Sequence, residues 1–224
     1  MKILPKTLLR SLVEPAVLGL TLFAVAGTFD YWQAWVFLVV AAVTTAIPTA
    51  YLLFNNPVAL ERRTRAGPSA ESRGAQKALI VGWYLTLAGS LVVSALDHRF
   101  GWSTVPTVIC LAGDVLVAVA LGLAMLVVIQ NSHAAATVRV EAGQTVTSTG
   151  FYGLVRHPMY TGNVILLVGI PLALGSYWAL TFLIPGLIVL VVRIRDEEKM
   201  LREELAGYGE YTQKVRYRLV PYVW

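Results

Sequence analysis

Long apolar runs recur along this chain, and that recurrence limits its fold more than any other feature. They lie at residues 12–28, 34–54, 77–96, 104–130, 160–175 and 178–192. A run of about 20 apolar residues is long enough to cross a bilayer as a helix. In lipid a backbone must satisfy its own polar groups, so for an open chain the helix is the only spanning structure. The expected fold is therefore all-α, a polytopic transmembrane helical bundle of about six helices. Composition agrees: 14% of the 224 residues are charged, against about 25% in a soluble domain. The opening stretch MKILPKTLLRSLVEPAVLGL has a weak small-residue cleavage pattern and reads as a retained first helix, not a signal peptide.

The connections predict the orientation. Lys2, Lys6 and Arg10 precede the first run, and Arg62, Arg63, Arg65, Arg73 and Lys77 fall between the second and third. Arg139 and Arg156 follow the fourth, and the tail after the sixth is basic again. The remaining connections, DYWQ, DHRFGWS and GSYW, are nearly free of basic residues and carry Trp32, Trp35, Trp102, Tyr177 and Trp178. Basic cytoplasmic loops and interfacial aromatics make this the pattern of a multi-pass protein with both termini cytoplasmic. The net charge of +5 thus points to a membrane surface, with no call for nucleic acid. Cys110 is the sole cysteine, and His98, His133 and His157 stand far apart. That excludes an intramolecular disulfide and gives no support for a metal site.

The fifth and sixth runs are short, so a tight C-terminal helical hairpin is expected, bent near Pro171 and Pro185. The last helix should continue into the cytoplasm through RIRDEEKMLREELAGY, with Glu198 and Arg202 paired at i, i+4 and Gly207 as its stop. Between the fourth and fifth runs, TVRVEAGQTVTST alternates around a turn signal and reads as a small hairpin or extended loop.

Chemistry-bearing residues gather at the predicted cytoplasmic end. Arg156, His157, Tyr160 and Gly162 open the fifth run, Glu197 and Glu198 follow the sixth, and YGEYTQKVRYRLVPYVW closes the chain. An even number of crossings brings the first two groups to one membrane face. Singly, each has a bland reading: Arg156 snorkels, His157–Pro158 starts a helix, the glutamates are a solvated face, and the tail meets lipid heads. Asp114 lies deep in the fourth run, in the outer half; a helix-packing role is expected for it. Asn131 and His133 lie nearer the cluster.

The series TSTGFYGLVRHPMYTG, a hydrophobic hairpin, DEE, then YGEYTQKVRYRLVP resembles the isoprenylcysteine carboxyl methyltransferase family. It is also similar to the related phospholipid methyltransferases and membrane thiol S-methyltransferases. The resemblance covers the chain from Thr137 on, and divides it into N-terminal transmembrane helices (1–136, about four) and a methyltransferase core (137–224). It implies an integral membrane methyltransferase that uses S-adenosylmethionine, bound in the cytoplasmic C-terminal region. Gly150, Tyr152, His157, Tyr160, Gly162, Glu197 and Glu198 would form the cofactor pocket. Arg156 would lie near the methyl acceptor together with Arg216 or Arg218, between which spacing does not choose. The acceptor would be lipophilic or small, isoprenylcysteine carboxylate-like, with a phospholipid amine or a small thiol as alternatives.

The residue types suit that chemistry. Glutamates hold an ammonium or ribose hydroxyls through charge-assisted bonds, and an arginine steers a carboxylate. Methyl transfer is an in-line displacement in which positioning supplies much of the rate. The cofactor arrives from water and the acceptor from the bilayer, which accounts for polar residues at the edge of hydrocarbon. No G-x-G-x-x-G fingerprint supports a soluble dinucleotide-type domain. A small membrane transporter is the non-enzyme alternative; Asp114 favours it, but the chain has no inverted repeat.

Overall fold

The computed structural model describes residues 3–64, 73–131 and 144–224. Among these, the long helices are α1 (Ile3–Ala26), α2 (Trp32–Asn55), α4 (Gly74–Phe100), α5 (Thr107–Gln130) and α8 (Leu183–Glu204), and α7 (Pro158–Ala173) is shorter. Three brief helices complete the set: α3 (Pro57–Thr64), α6 (Phe151–Leu154) and α9 (Tyr208–Lys214). A 3-10 turn at Trp178–Phe182 leads into α8. The described residues contain no strand. Five helices are long and apolar enough to cross a membrane, with α8 counted together with its 3-10 turn, and Pro158–Ala173 is the shorter apolar helix. This is an all-α polytopic bundle and an integral membrane protein.

Local sequence sets most of the boundaries. Pro106 precedes α5 and lacks an N–H, so the helix starts at Thr107 where the apolar run began at 104. Pro185 falls in the first turn of α8, where its missing donor is no loss. The expected extension of the last helix past its apolar part is present, with Arg202 3.9 Å from Glu198. It ends at Glu204; Gly207, in the left-handed region at φ 82°, instead turns the chain into α9. Helix α3 was read from sequence as part of a connection. Much of the expected hairpin around EAGQ lies outside the described residues. Residues 144–148 are irregular.

Helix α7 is central to the bundle. Its 16 residues reach only about 24 Å at 1.5 Å per residue, short of a hydrocarbon core of about 30 Å. It is held against α5 by backbone contact. A Cβ on Gly113 would lie 2.2 Å from the Ala173 nitrogen, one on Gly169 3.0 Å from the Val117 nitrogen, and one on Gly162 3.0 Å from the Ala120 carbonyl oxygen. Three glycines thus let two membrane helices touch main chain to main chain, where dispersion and not hydrophobicity drives association. The pairing is antiparallel and leaves the start of α7 about one turn short of the C-terminal end of α5. The polar residues at that start are recessed below the end of α5.

The two ends of the bundle are built differently. At one end the connections 27–31, 101–106 and 174–177 meet. The Tyr31 hydroxyl donates to the Leu174 carbonyl at 2.7 Å, and its ring stacks on His98 at 3.8 Å. Asp97, 1% exposed, accepts from the Ser103 N–H and hydroxyl at 2.6 and 2.7 Å and from the Ser176 hydroxyl at 2.5 Å. These bonds satisfy a buried carboxylate and tie three connections together. At the other end lie the start of α7, the end of α8 and the tail. There Leu205, Tyr208, Tyr211 and Val215 form a small separate core.

Candidate functional site

The site grows from the start of α7. His157 is the N-cap and Pro158 the first helical residue, so the His157 carbonyl begins the helix while its side chain is left for other work. The tail runs alongside: the Arg156 N–H donates to the Tyr217 carbonyl and the His157 N–H to the Arg218 carbonyl, both at 2.9 Å. The Thr161 hydroxyl adds a bond to the Leu219 carbonyl at 2.7 Å. These contacts fix Arg218 beside the α7 start.

Glu198 is the hub. Its carboxylate lies 2.8 Å from Arg156 Nε and 3.3 Å from His157 Nε2. Arg218 donates to it from Nε at 3.1 Å to each oxygen and from Nη2 at 3.0 Å. The Arg156 and Glu198 side chains are 5% and 4% exposed. Arg156 also donates from Nη1 to the Val215 carbonyl at 3.3 Å. The Arg218 guanidinium sits over the Trp224 ring at 5.2 Å. Desolvating charges at this density costs several kcal/mol per ion, so stability alone gives little reason to build such a cluster.

A second group adjoins it. The Tyr160 hydroxyl donates to Glu197 at 2.6 Å and accepts from Arg193 Nε at 2.9 Å. The Tyr160 ring stacks near His157, with centroids 5.6 Å apart. Tyr152 is close by: its hydroxyl bonds the Asn131 side chain, and burial pushes it up to about 12, with Glu197 adding to the rise. Tyr211 donates from its hydroxyl to the Tyr152 carbonyl at 2.8 Å, and its own phenol is raised above the usual range, chiefly by burial. Tyr152 and Tyr211 are thus neutral phenols.

The structure brings Arg156, His157, Tyr160, Glu197, Glu198 and Arg218 into one connected cluster, with Tyr152 beside it. Arg218 makes the tail contact, and Arg216 is exposed. Gly162 faces the Ala120 carbonyl in the α5 contact. Gly150, at φ 55°, makes the turn before α6. There a Cβ would meet the Gln130 amide at 2.3 Å, the same amide that holds the Thr149 carbonyl and the Phe151 N–H. Asp114, 5% exposed with neither oxygen hydrogen-bonded among the described residues, is 16 residues from Gln130, about 24 Å along the helix. His133 lies outside the described residues. Sequence reading passed over Arg193, although its i, i+4 spacing to Glu197 on one helix face was a usable signal.

In charge, Arg156, Arg202 and Arg218 lie against Glu198, and Arg193 bonds the Tyr160 hydroxyl that donates to Glu197, so four cations stand with two carboxylates before His157 is considered. Glu198 is claimed on both oxygens, and Glu197 accepts from the Tyr160 hydroxyl. Such a site suits a ligand with an anionic end and a cationic end. Among the described residues no group of three or more His, Cys, Asp or Glu is placed to hold a metal ion.

Comparison with known proteins bears on the same region. A stretch of 95 residues is 32% identical to the Delta(14)-sterol reductase TM7SF2 of Mus musculus, covering 39% of this chain and 22% of that protein. The chain therefore spans much less than two thirds of the relative's length. Residues 108–207, from the second residue of α5 past the charged end of α8, match the phospholipid methyltransferase family.

Proposed function

We propose that this protein is an S-adenosylmethionine-dependent methyltransferase that works at the cytoplasmic membrane face, with 137–224 as its catalytic core. The acceptor is lipophilic or small and carboxylate-like; a phospholipid amine or a small thiol is the alternative within the class. The observation that carries the reading is the recessed cluster of Arg156, His157, Arg218 and Glu198 beside Tyr160, Glu197 and Arg193, within a chain that matches a methyltransferase family.

The donor set fits the cofactor. Its methionine end carries a carboxylate, which the arginine excess suits, and an ammonium, which a carboxylate such as Glu197 suits through a charge-assisted bond. When bound, S-adenosylmethionine supplies an electrophilic methyl group on a sulfonium. The chain's own part is to bind, orient and exclude water. Glu198 holds Arg156 and Arg218 in place, with Arg156 directed to the acceptor's anionic group. Tyr160, fixed between Arg193 and Glu197, keeps that glutamate oriented. A carboxylate or thiolate acceptor needs no base; an amine would lose its proton to Glu197 or His157.

A second reading is reduction of a lipid, favoured by the similarity to a sterol reductase. It would need a hydride donor such as a reduced nicotinamide dinucleotide. One experiment separates the two. The purified full chain in detergent is titrated with S-adenosylmethionine and, separately, with the reduced dinucleotide. It is then incubated with methyl-labelled cofactor and a membrane lipid extract. Saturable binding of the methyl donor and a labelled product are expected; saturable binding of the dinucleotide alone overturns the methyltransferase reading.

A further inference from the structure

Helix α8 carries three acids in a row, and only two of them join the charged cluster. Successive residues of a helix are turned by about 100°, so Asp196, Glu197 and Glu198 leave α8 in three directions. Glu197 meets Tyr160, and Glu198 meets Arg156, His157 and Arg218. Asp196 turns instead to the start of α4. Its Oδ1 accepts from Arg73 Nη2 at 2.8 Å and its Oδ2 from Gln76 Nε2 at 2.5 Å. Arg73 is the N-cap of α4, and Gln76, in the first turn of that helix, is 0% exposed. Both oxygens of the carboxylate are thus held from one neighbouring helix.

Stability is a poor account of this tie. The Arg73 side chain is 36% exposed, and an ion pair open to water adds little. The Gln76 Oε1 is buried with no hydrogen-bond partner among the described residues, a penalty larger than such a pair offsets. Position accounts for it better. In the apolar part of the bundle α4 and α8 meet at glycines: a Cβ on Gly82 would lie 3.3 Å from Val189 Cγ2, and one on Gly186 3.2 Å from Thr86 Cγ2. Val189 lies about two turns before Asp196. From there α8 runs into the charged stretch RIRDEEKMLREE, and the Asp196 bonds carry the α4 contact into it. Turning this end about its axis would move Glu197 off Tyr160 and Glu198 off Arg156 together.

We propose that Asp196 is a positioning residue: held by Arg73 and Gln76, it sets the rotation of the α8 end that presents Glu197 and Glu198 to the methyl donor. This deepens the methyltransferase reading and rests on it. Asp196 acts through its two neighbours and does not itself touch the ligand. A misplacement of about 1 Å caused at a distance can cost about 100-fold, so a contact outside the cluster can govern what the cluster binds.

The test uses the full chain in detergent. S-adenosylmethionine is titrated at a temperature well below unfolding, and Tm is measured without ligand. The variants are Asp196→Asn, Gln76→Leu, the single changes Gln76→Asn and Asp196→Glu, and their double, which shortens one arm and lengthens the other. Ser103→Ala, which weakens the hydrogen bonds around Asp97 at the far end of the bundle, controls for stability. Asp196→Asn and Gln76→Leu are expected to bind about tenfold more weakly, as when a bond to a charged group loses its alignment. The double should recover most of the affinity that its two single changes lose, and Ser103→Ala should bind as wild type even where its Tm falls as far. Unchanged affinity in Asp196→Asn and Gln76→Leu, no recovery in the double, or an equal loss in Ser103→Ala overturns the role of Asp196 while the cofactor reading survives. A folded wild-type protein that binds no S-adenosylmethionine sinks both.

Discussion

At the scale of the residue, the site is organised by one carboxylate. Glu198 neutralises Arg156, whose side chain is 5% exposed, so deleting it strands a buried cation. Removing one partner of a buried ion pair costs about 3–5 kcal/mol. Glu198→Ala should lose stability on that order and also bind S-adenosylmethionine at least tenfold more weakly; thermal unfolding and titration in detergent measure the two separately. The tail arginines are expected to differ. Arg218 makes three hydrogen bonds to Glu198 and Arg216 is exposed, so Arg218→Ala should reduce cofactor affinity more than Arg216→Ala. The same titration decides, and equal losses would argue against the assigned tail contact. The sequence stretch VRYRLVP holds both arginines two positions apart with nothing to rank them. Only the pairing of the His157 N–H with the Arg218 carbonyl settles the register.

At the scale of the element, the α5–α7 contact holds the site at its depth. Its glycines look ordinary in sequence, because small residues are common in membrane helices. Their roles separate only once the helices are paired. A Cβ on Gly113 runs into the Ala173 backbone, while one on Gly122 meets nothing within 4 Å. Overpacking a close contact costs about 1–3 kcal/mol, and the neighbouring atoms here are main chain, which does not yield. Gly113→Ala should lower the melting temperature in detergent, whereas Gly122→Ala, with better helix propensity, should leave it equal or higher. A Gly113 variant as stable as wild type would mean that α7 does not rest on α5 in this way.

At the scale of the whole molecule, the polar cluster and the knot around Asp97 occupy opposite ends of the bundle. The basic connections fall at the cluster end, so that end is expected to be cytoplasmic. Single cysteines introduced by Trp102→Cys and Lys214→Cys should react with a membrane-impermeant thiol reagent from opposite sides of the native membrane, with Lys214→Cys labelled from the cytoplasm. Native Cys110, which is 0% exposed, should give no background. Labelling of both positions from one side would break the bundle's topology.

By itself the sequence determined that the chain is helical and membrane-embedded, and where its apolar helices lie. Hydrocarbon leaves the backbone no alternative, and the length of an apolar run needs no neighbour to be read. It also brought Arg156, His157 and Tyr160 to the same end as Glu197 and Glu198, because an even number of crossings must return. The tertiary structure alone decided which groups touch: Arg218 over Arg216 against Glu198, Arg193 joined to Tyr160, Gly162 set in a helix contact. Those outcomes depend on helix rotation and on the path of the tail, which are set by close packing between segments distant in sequence, and no local pattern records them.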